Sequence, residues 1–158
     1  MKKYFCGIDN GYTGGWAVLN HDEEVISFGV VPLRNIGDTK DILLSELLGN
    51  IPSDSHVILE QGQKQPLFGC KGNFANGYTF GRVSGALEIL NFSYELVNPK
   101  TWQAVIFKDI RGGQKGNTKG MSLEVCRRKY PLLNIKNDNI SDAICLALYA
   151  RYKHLGGV

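Results

Sequence analysis

Asp9, Glu60, Asp138 and Asp142 are the residues of this 158-residue chain best placed to do chemistry. Asp9 closes the apolar run Tyr4-Phe5-Cys6-Gly7-Ile8 and Glu60 closes Val57-Ile58-Leu59, so each acid ends a segment that reads as a buried strand. Asp138 and Asp142, four residues apart and therefore on one helical face, open the most apolar helical stretch of the chain. An ionised carboxylate beside a core costs on the order of several kcal/mol unless it is paired, hydrogen-bonded or bound to metal, so acids repeated in such positions point to a cation site. Oxygen donors select hard cations, and His21, His56 and His154 lie outside the constellation, so the expected ion is Mg²⁺, with Mn²⁺ able to substitute. A pair of such ions can activate water, neutralise a phosphate oxygen and stabilise a leaving oxygen, which is the chemistry of phosphodiester hydrolysis. For Asp138 a second reading stays open, as a helix cap answering the macrodipole.

The elements that must carry these acids follow from periodicity. Strands are expected over residues 3–9, 15–19 and 25–31, joined by tight turns into an antiparallel meander. A helix is expected over 39–48, with Thr39 as N-cap and Ile42, Leu43 and Leu47 on one face. A fourth strand over 56–60, a Gly/Gln/Lys-rich loop over 61–72, a long helix over 73–91 and a fifth strand over 94–97 come next. Helical patterns occupy roughly 99–107, 118–130 and 138–153, with a loop over 110–117. The fold class is therefore α/β, with one five-stranded mixed sheet flanked by helices. Strands one to three are antiparallel, and right-handed crossovers set strands four and five parallel to the first. With strand four beside strand one, Asp9 and Glu60 become neighbours.

Composition bounds the function. The length suits a single domain over residues 1–158 with a real core. No apolar stretch approaches the roughly 20 residues needed to cross a bilayer, and no secretory signal opens the chain, so a cytoplasmic protein without a membrane partner is expected. Cys6, Cys70, Cys126 and Cys145 are scattered without a C-x-x-C pair, which argues against a disulfide framework or zinc site. The formal charge of +3 hides an asymmetry: residues 1–60 hold four Lys or Arg and nine acids, residues 61–158 fourteen and six. Lys100, Lys108, Arg111, Lys115, Lys119, Arg127, Arg128 and Lys129 fall between Asn98 and Pro131 against only Asp109 and Glu124. Such a strip is the footprint of a phosphate-backbone binder, with a solvated basic helix as the plainer alternative.

Gly77, Gly81 and Gly85 recur every fourth residue in the long helix, where each costs about 1 kcal/mol relative to alanine. A smooth glycine face admits another backbone, either the protein's own sheet or a twin helix of a second subunit.

The order Gly7-Ile8-Asp9-Asn10-Gly11-Tyr12-Thr13-Gly14-Gly15, Ile58-Leu59-Glu60, Phe80-Gly81-Arg82-x-x-Gly85, Tyr94-Glu95-Leu96-Val97-x-Pro99-x-x-Trp102 and Asp138-x-x-x-Asp142-Ala143 resembles the RuvC-type Holliday junction resolvases, most closely their short bacteriophage and prophage versions. The resemblance spans residue 4 to about 151 and implies an RNase H-like fold, a homodimer, and metal-dependent paired nicking of four-way DNA junctions in a bacterial or phage-infected cell. Asp9, Glu60 and Asp142 match the family's catalytic acids, Asp138 matches a position that varies between Asp and His, and Lys119, with Lys115 close enough to compete, matches a basic residue near the scissile phosphate. Asp9 would bridge two ions, Glu60 and Asp142 would each hold one, and Asp138 would complete a shell. Lys64, Phe68, Lys71, Arg82, Lys100, Lys108, Arg111, Lys115 and Lys119 are the expected DNA-binding residues, with Phe74 and Tyr78 as further rings for stacking on exposed bases. The glycine face is the expected dimer contact. Where relatives present an apolar wedge to the junction centre, this chain offers Gln61, Gln63, Lys64 and Gln65 before Phe68.

Two other functions fit parts of the sequence. Gly7-Ile8-Asp9-x-Gly11-x-Thr13 also looks like the first phosphate loop of the actin and sugar-kinase superfamily, whose members need two such lobes. A catalytically silent junction-binding protein is the other.

Overall fold

Tyr4–Asp9 (β1), Gly15–Asn20 (β2) and Val25–Val30 (β3) form the expected antiparallel meander, and Ser55–Glu60 (β6) and Ser93–Val97 (β7) complete a sheet of order β3-β2-β1-β6-β7. β6 runs parallel to β1, and β7 parallel to β6. The computed structural model describes residues 3–62, 69–110, 118 and 120–156. Between β3 and β6 lie Leu33–Ile36 (β4), Thr39–Ile42 (β5) and the short helix Leu44–Gly49 (α1). Gly69–Ile89 (α2), Pro99–Ile106 (α3), Met121–Lys129 (α4) and Asp138–His154 (α5) are the other α-helices among the described residues.

Strand alternation sorts the core into two halves. Phe5, Ala17, Leu19 and Ile58 face one way and pack with Trp102, Val125 and the apolar length of α5. Cys6, Ile8, Trp16, Val18, Val57 and Leu59 face the other way, against Leu47, Val83 and Leu87 of α1 and α2. Both β1 and β6 are covered on their two faces, which is why they read as continuous apolar runs. α5 lies directly on β1: a Cβ on Gly7 would land on the carbonyl oxygen of Ala143 and 2.5 Å from the amide nitrogen of Ala147.

The helix expected over 39–48 is replaced by a hairpin and a shorter helix. β4 and β5 pair antiparallel as a separate two-stranded sheet in which Ile36 faces Thr39, leaving Gly37-Asp38 as a two-residue turn. Gly37 has φ +58°, a left-handed conformation that glycine adopts without strain at the first position of a hairpin turn. Thr39 is no N-cap; its hydroxyl donates to the Ile36 carbonyl across that turn at 2.9 Å. α2 starts at Gly69, within the expected loop, with the Asn73 amide backing its first turn by donating to the Gly69 carbonyl at 2.8 Å. Among the described residues no helix is long and apolar enough to cross a membrane.

Candidate functional site

The last rung of the β1–β6 pairing is Ile8 with Leu59, so Asp9 and Glu60 follow side by side at the carboxyl edge of the sheet, still paired with Gly15 and Val97 on their other sides. Alternation places them on the same face as Phe5 and Ile58, the face that α5 covers. α5 brings Asp142 to that face. Its amino-terminal turn closes on the sheet at Gly15, where a Cβ would come within 2.7 Å of the Asn139 carbonyl carbon. Three carboxylates from two strands and one helix thus converge.

Their electrostatics record the crowding. Burial pushes the Asp9 carboxyl well above the ordinary carboxylate range, and the charges of Glu60 and Asp142 push it further. Glu60 is pushed up to about 7, by burial first and then by Asp142, against a hydrogen bond from Trp102 that pulls it down. Asp142 is raised by burial and by Asp138, and is lowered by a hydrogen bond from Ser122. The Trp102 indole Nε1 donates to Glu60 Oε2 at 2.6 Å. Ser122, buried in the first turn of α4, lies 3.0 Å from the Ser141 hydroxyl, so α4 braces the turn of α5 that bears Asp142.

The donor set fits a hard divalent cation. Its oxygens are crowded carboxylates, and beside them the buried Asn10 Oδ1 has no hydrogen-bond partner among the described residues. Such a set gains by sharing a cation. The acids converge without closing. Among the described residues no three His, Cys, Asp or Glu side chains surround one point at ligating distance. The histidines stay away: His56, second residue of β6, lies at the opposite edge, where its Nδ1 meets Ser93 Oγ at 2.9 Å and its ring lies 5.7 Å from that of His154.

Asp138 is not the helix cap. Asn137 is, its side chain accepting from the amides of Asn139 at 2.9 Å and Ile140 at 3.2 Å. Asp138 occupies the first turn, exposed, with its charge felt at Asp142.

A cleft of about 540 Å³ opens over Asp9 and Glu60. The β1–β2 loop from Asn10 to Gly14, the start of α2, Pro99 and Asn139 line it. A second hollow of about 700 Å³ adjoins it between the β4–β5 hairpin and α2, and Tyr12 and Ala75 line both. Of the expected DNA-binding residues, Lys71 lines the second hollow, and Lys100 is exposed on the first turn of α3 next to Pro99. Lys108 is exposed on a separate hollow with Glu23 and Arg151. Arg82 is tied to Asp41, with its guanidinium carbon 5.8 Å from the Tyr78 ring centroid. Lys64, Phe68, Arg111, Lys115 and Lys119 lie outside the described residues. Within the basic strip, Arg127 and Arg128 pair with Glu124 and Lys129 with Glu23, so this end is partly neutralised. Among the described residues a Cβ on Gly77, Gly81 or Gly85 would meet nothing within 4 Å. Their smooth face therefore does not serve the chain's own sheet.

Trp102, Ser122 and the hairpin carry no role in the sequence reading. For the hairpin a signal was present in the turn pair Gly37-Asp38 between Ile36 and the β-branched Thr39. Trp102 stands in the motif Val97-x-Pro99-x-x-Trp102 without a role attached to it, and Ser122 has no signal, because their roles depend on side-chain direction across elements far apart in sequence.

No protein-family model matches the chain, and no curated protein matches it. Among solved structures, it is similar to T. thermophilus RuvC in complex with a Holliday junction substrate, with a TM-score of 0.67 and 16% identity over 97% of this chain and 96% of that one. A further Thermus thermophilus RuvC structure matches with a TM-score of 0.53 and 18% identity over the same shares. The chain thus has a RuvC-like fold, the five-stranded mixed sheet flanked by helices of the RNase H-like class.

Proposed function

We propose that this chain is a structure-selective DNA endonuclease that resolves four-way junctions and related branched DNA by metal-dependent phosphodiester hydrolysis, giving paired nicks. The observation that carries the reading is the convergence of Asp9, Glu60 and Asp142 at one sheet edge, each held above its ordinary pKa by burial, with an open cleft over Asp9 and Glu60. The RuvC-like fold suggests the substrate class, because T. thermophilus RuvC is found with a Holliday junction substrate.

Asp9, Glu60 and Asp142, with Asp138, are the residues that would hold Mg²⁺ or Mn²⁺, two ions per subunit being the expected number. When bound, the ions would activate water and stabilise charge on the phosphate and its leaving oxygen. The chain's own residues position the donors. Trp102 pins one Glu60 oxygen, and Ser122 holds Asp142. Lys119 is assigned to the charge of the reacting phosphate. Lys71 and Lys100, beside the cleft, take flanking phosphates, with Lys64, Lys108, Arg111 and Lys115 extending the contact without reading bases. The exposed glycine face of α2 is assigned to a twofold dimer contact, which would set two sites against a nearly symmetric junction.

The test is incubation with a synthetic four-way junction and a linear duplex of the same sequence, with Mg²⁺ or EDTA. Paired nicks on the junction, little cutting of duplex and none in EDTA are expected. Equal cutting of duplex would indicate a general nuclease. Tight junction binding without nicking across Mg²⁺ and Mn²⁺ titrations would indicate a silent junction-binding protein.

A further inference from the structure

Phe74 is 75% exposed and Tyr78 44% exposed, one turn apart on the amino-terminal half of α2. Their rings are close to parallel, at 16° with centroids 6.3 Å apart, so together they present an apolar platform rather than scattered surface hydrophobes. The platform is braced from the hairpin. The buried Asp41 of β5 accepts from the Arg82 guanidinium, which lies over the Tyr78 ring and also reaches its hydroxyl at 3.5 Å. Asp41 accepts further from the Ile42 amide at 2.9 Å and from Arg34 at 3.5 Å, so its charge is answered on the protein. Burial works to raise its carboxyl, yet Arg82, the Ile42 amide and Arg34 together outweigh it and hold the group below the ordinary range. Lys40 on the hairpin and Lys71 on α2 line the same groove, with Asp38 the remaining acid there.

We infer that this groove between the β4–β5 hairpin and α2 takes an unpaired stretch of DNA, one base stacking on Phe74 while Lys40 and Lys71 meet the flanking phosphates. Exposed parallel rings with cations beside them are the chemistry of single-strand recognition, and in intact duplex the base faces are already covered. The groove is continuous with the acidic cleft through Tyr12 and Ala75. A strand lying over Asp9, Glu60 and Asp142 would therefore run into it, and unpaired nucleotides occur beside a branch point. The inference rests on the nuclease reading for the direction of that strand; the groove's preference for unpaired DNA is tested separately.

The experiment uses the full chain in EDTA, so that no outcome depends on cleavage. Anisotropy of a fluorescein-labelled oligothymidylate and of a duplex of equal length is measured for the wild type, Phe74→Ala and Lys40→Ala. Oligothymidylate containing 2-aminopurine reports stacking directly. The wild type should bind the single strand more tightly than the duplex and quench 2-aminopurine. Phe74→Ala should lose about 5- to 150-fold in single-strand affinity together with the quenching, while duplex affinity stays. Lys40→Ala should keep the quenching and show a shallower salt dependence. Unchanged single-strand affinity in Phe74→Ala overturns the inference. So does a Phe74→Ala protein whose subunit count by light scattering falls while its DNA affinity holds, because the platform then belongs to a second copy. A chain that never nicks junctions yet shows the Phe74 effect loses the nuclease reading alone, and one that nicks them without that effect loses the groove alone.

Discussion

The indole N–H of Trp102 donates to Glu60 Oε2 at 2.6 Å, from a side chain that is 1% exposed and packed edge-on to Phe107. One oxygen of Glu60 is thereby spent on the protein and the other is left for the cleft. Trp102→Phe keeps most of the ring and removes the donor. It is expected to weaken Mn²⁺ binding roughly tenfold by calorimetry and to cost about 1 to 3 kcal/mol of stability, the worth of a hydrogen bond to a charged group. Mn²⁺ affinity equal to the wild type would mean that the bond is incidental to the site.

Crowded acids give the metal-free protein a pH dependence of definite sign. Glu60, ordinarily near 4.5, is raised to about 7, and Asp9 and Asp142 are raised as well. A raised carboxyl favours the protonated form in the fold. Its contribution is complete below the unfolded value and is lost as pH climbs through the folded one. Thermal melts in EDTA should therefore fall between about pH 5 and pH 8, by on the order of 1 to 3 kcal/mol. Mg²⁺ should restore the loss at the upper end and do little at the lower, and Glu60→Gln should flatten both effects. A melting temperature that rises with pH across that window would contradict this electrostatic picture.

The convergence of the acids was legible because it depends on rules that act locally. Apolar runs closed by Asp9 and Glu60 mark strand ends, period-two alternation puts both on one face, and a parallel crossover makes the strands adjacent. The segment after Val31 departs from its helical pattern for a physical reason. Ile42, Leu43 and Leu47 do share a helical spacing, but the Gly37-Asp38 turn and the Asp41–Arg82 pair hold Thr39–Ile42 extended. Asp138 reads as a cap because it opens the apolar stretch, whereas the cap lies one residue earlier at Asn137. The Trp102–Glu60 bond joins residues 42 apart through side-chain direction, which no periodicity encodes.

Close approach of α5 to the sheet should be intolerant of a single methyl group. Gly15→Ala would set a Cβ against the Asn139 carbonyl and push out the turn that leads to Asp142. A cost of about 1 to 3 kcal/mol is expected, together with loss of the Mg²⁺-dependent rise in melting temperature. Wild-type stability and an undiminished Mg²⁺ response in Gly15→Ala would show that α5 has room to move.

The hairpin should depend on its buried acid. Asp41→Ala leaves Arg82 without its carboxylate and is expected to cost about 2 kcal/mol, below the roughly 3 to 5 kcal/mol of a fully buried pair because Arg34 and Arg82 keep some solvent. Hydrogen exchange should quicken over residues 33–42 while the amides of β1 and β6 stay protected. Uniform quickening across the main sheet would place Asp41 in the global core instead.

The central claim is that Asp9, Glu60 and Asp142 form one metal-dependent nuclease site, and its most direct measurement is single-turnover cleavage of a four-way junction by Asp9→Asn, Glu60→Gln and Asp142→Asn beside the wild type. Each variant should lose cleavage by about a hundredfold or more, roughly 3 kcal/mol of barrier, while binding the junction in EDTA as tightly as the wild type. Cleavage at the wild-type rate by any one of the three would remove that residue from the site and contradict the account.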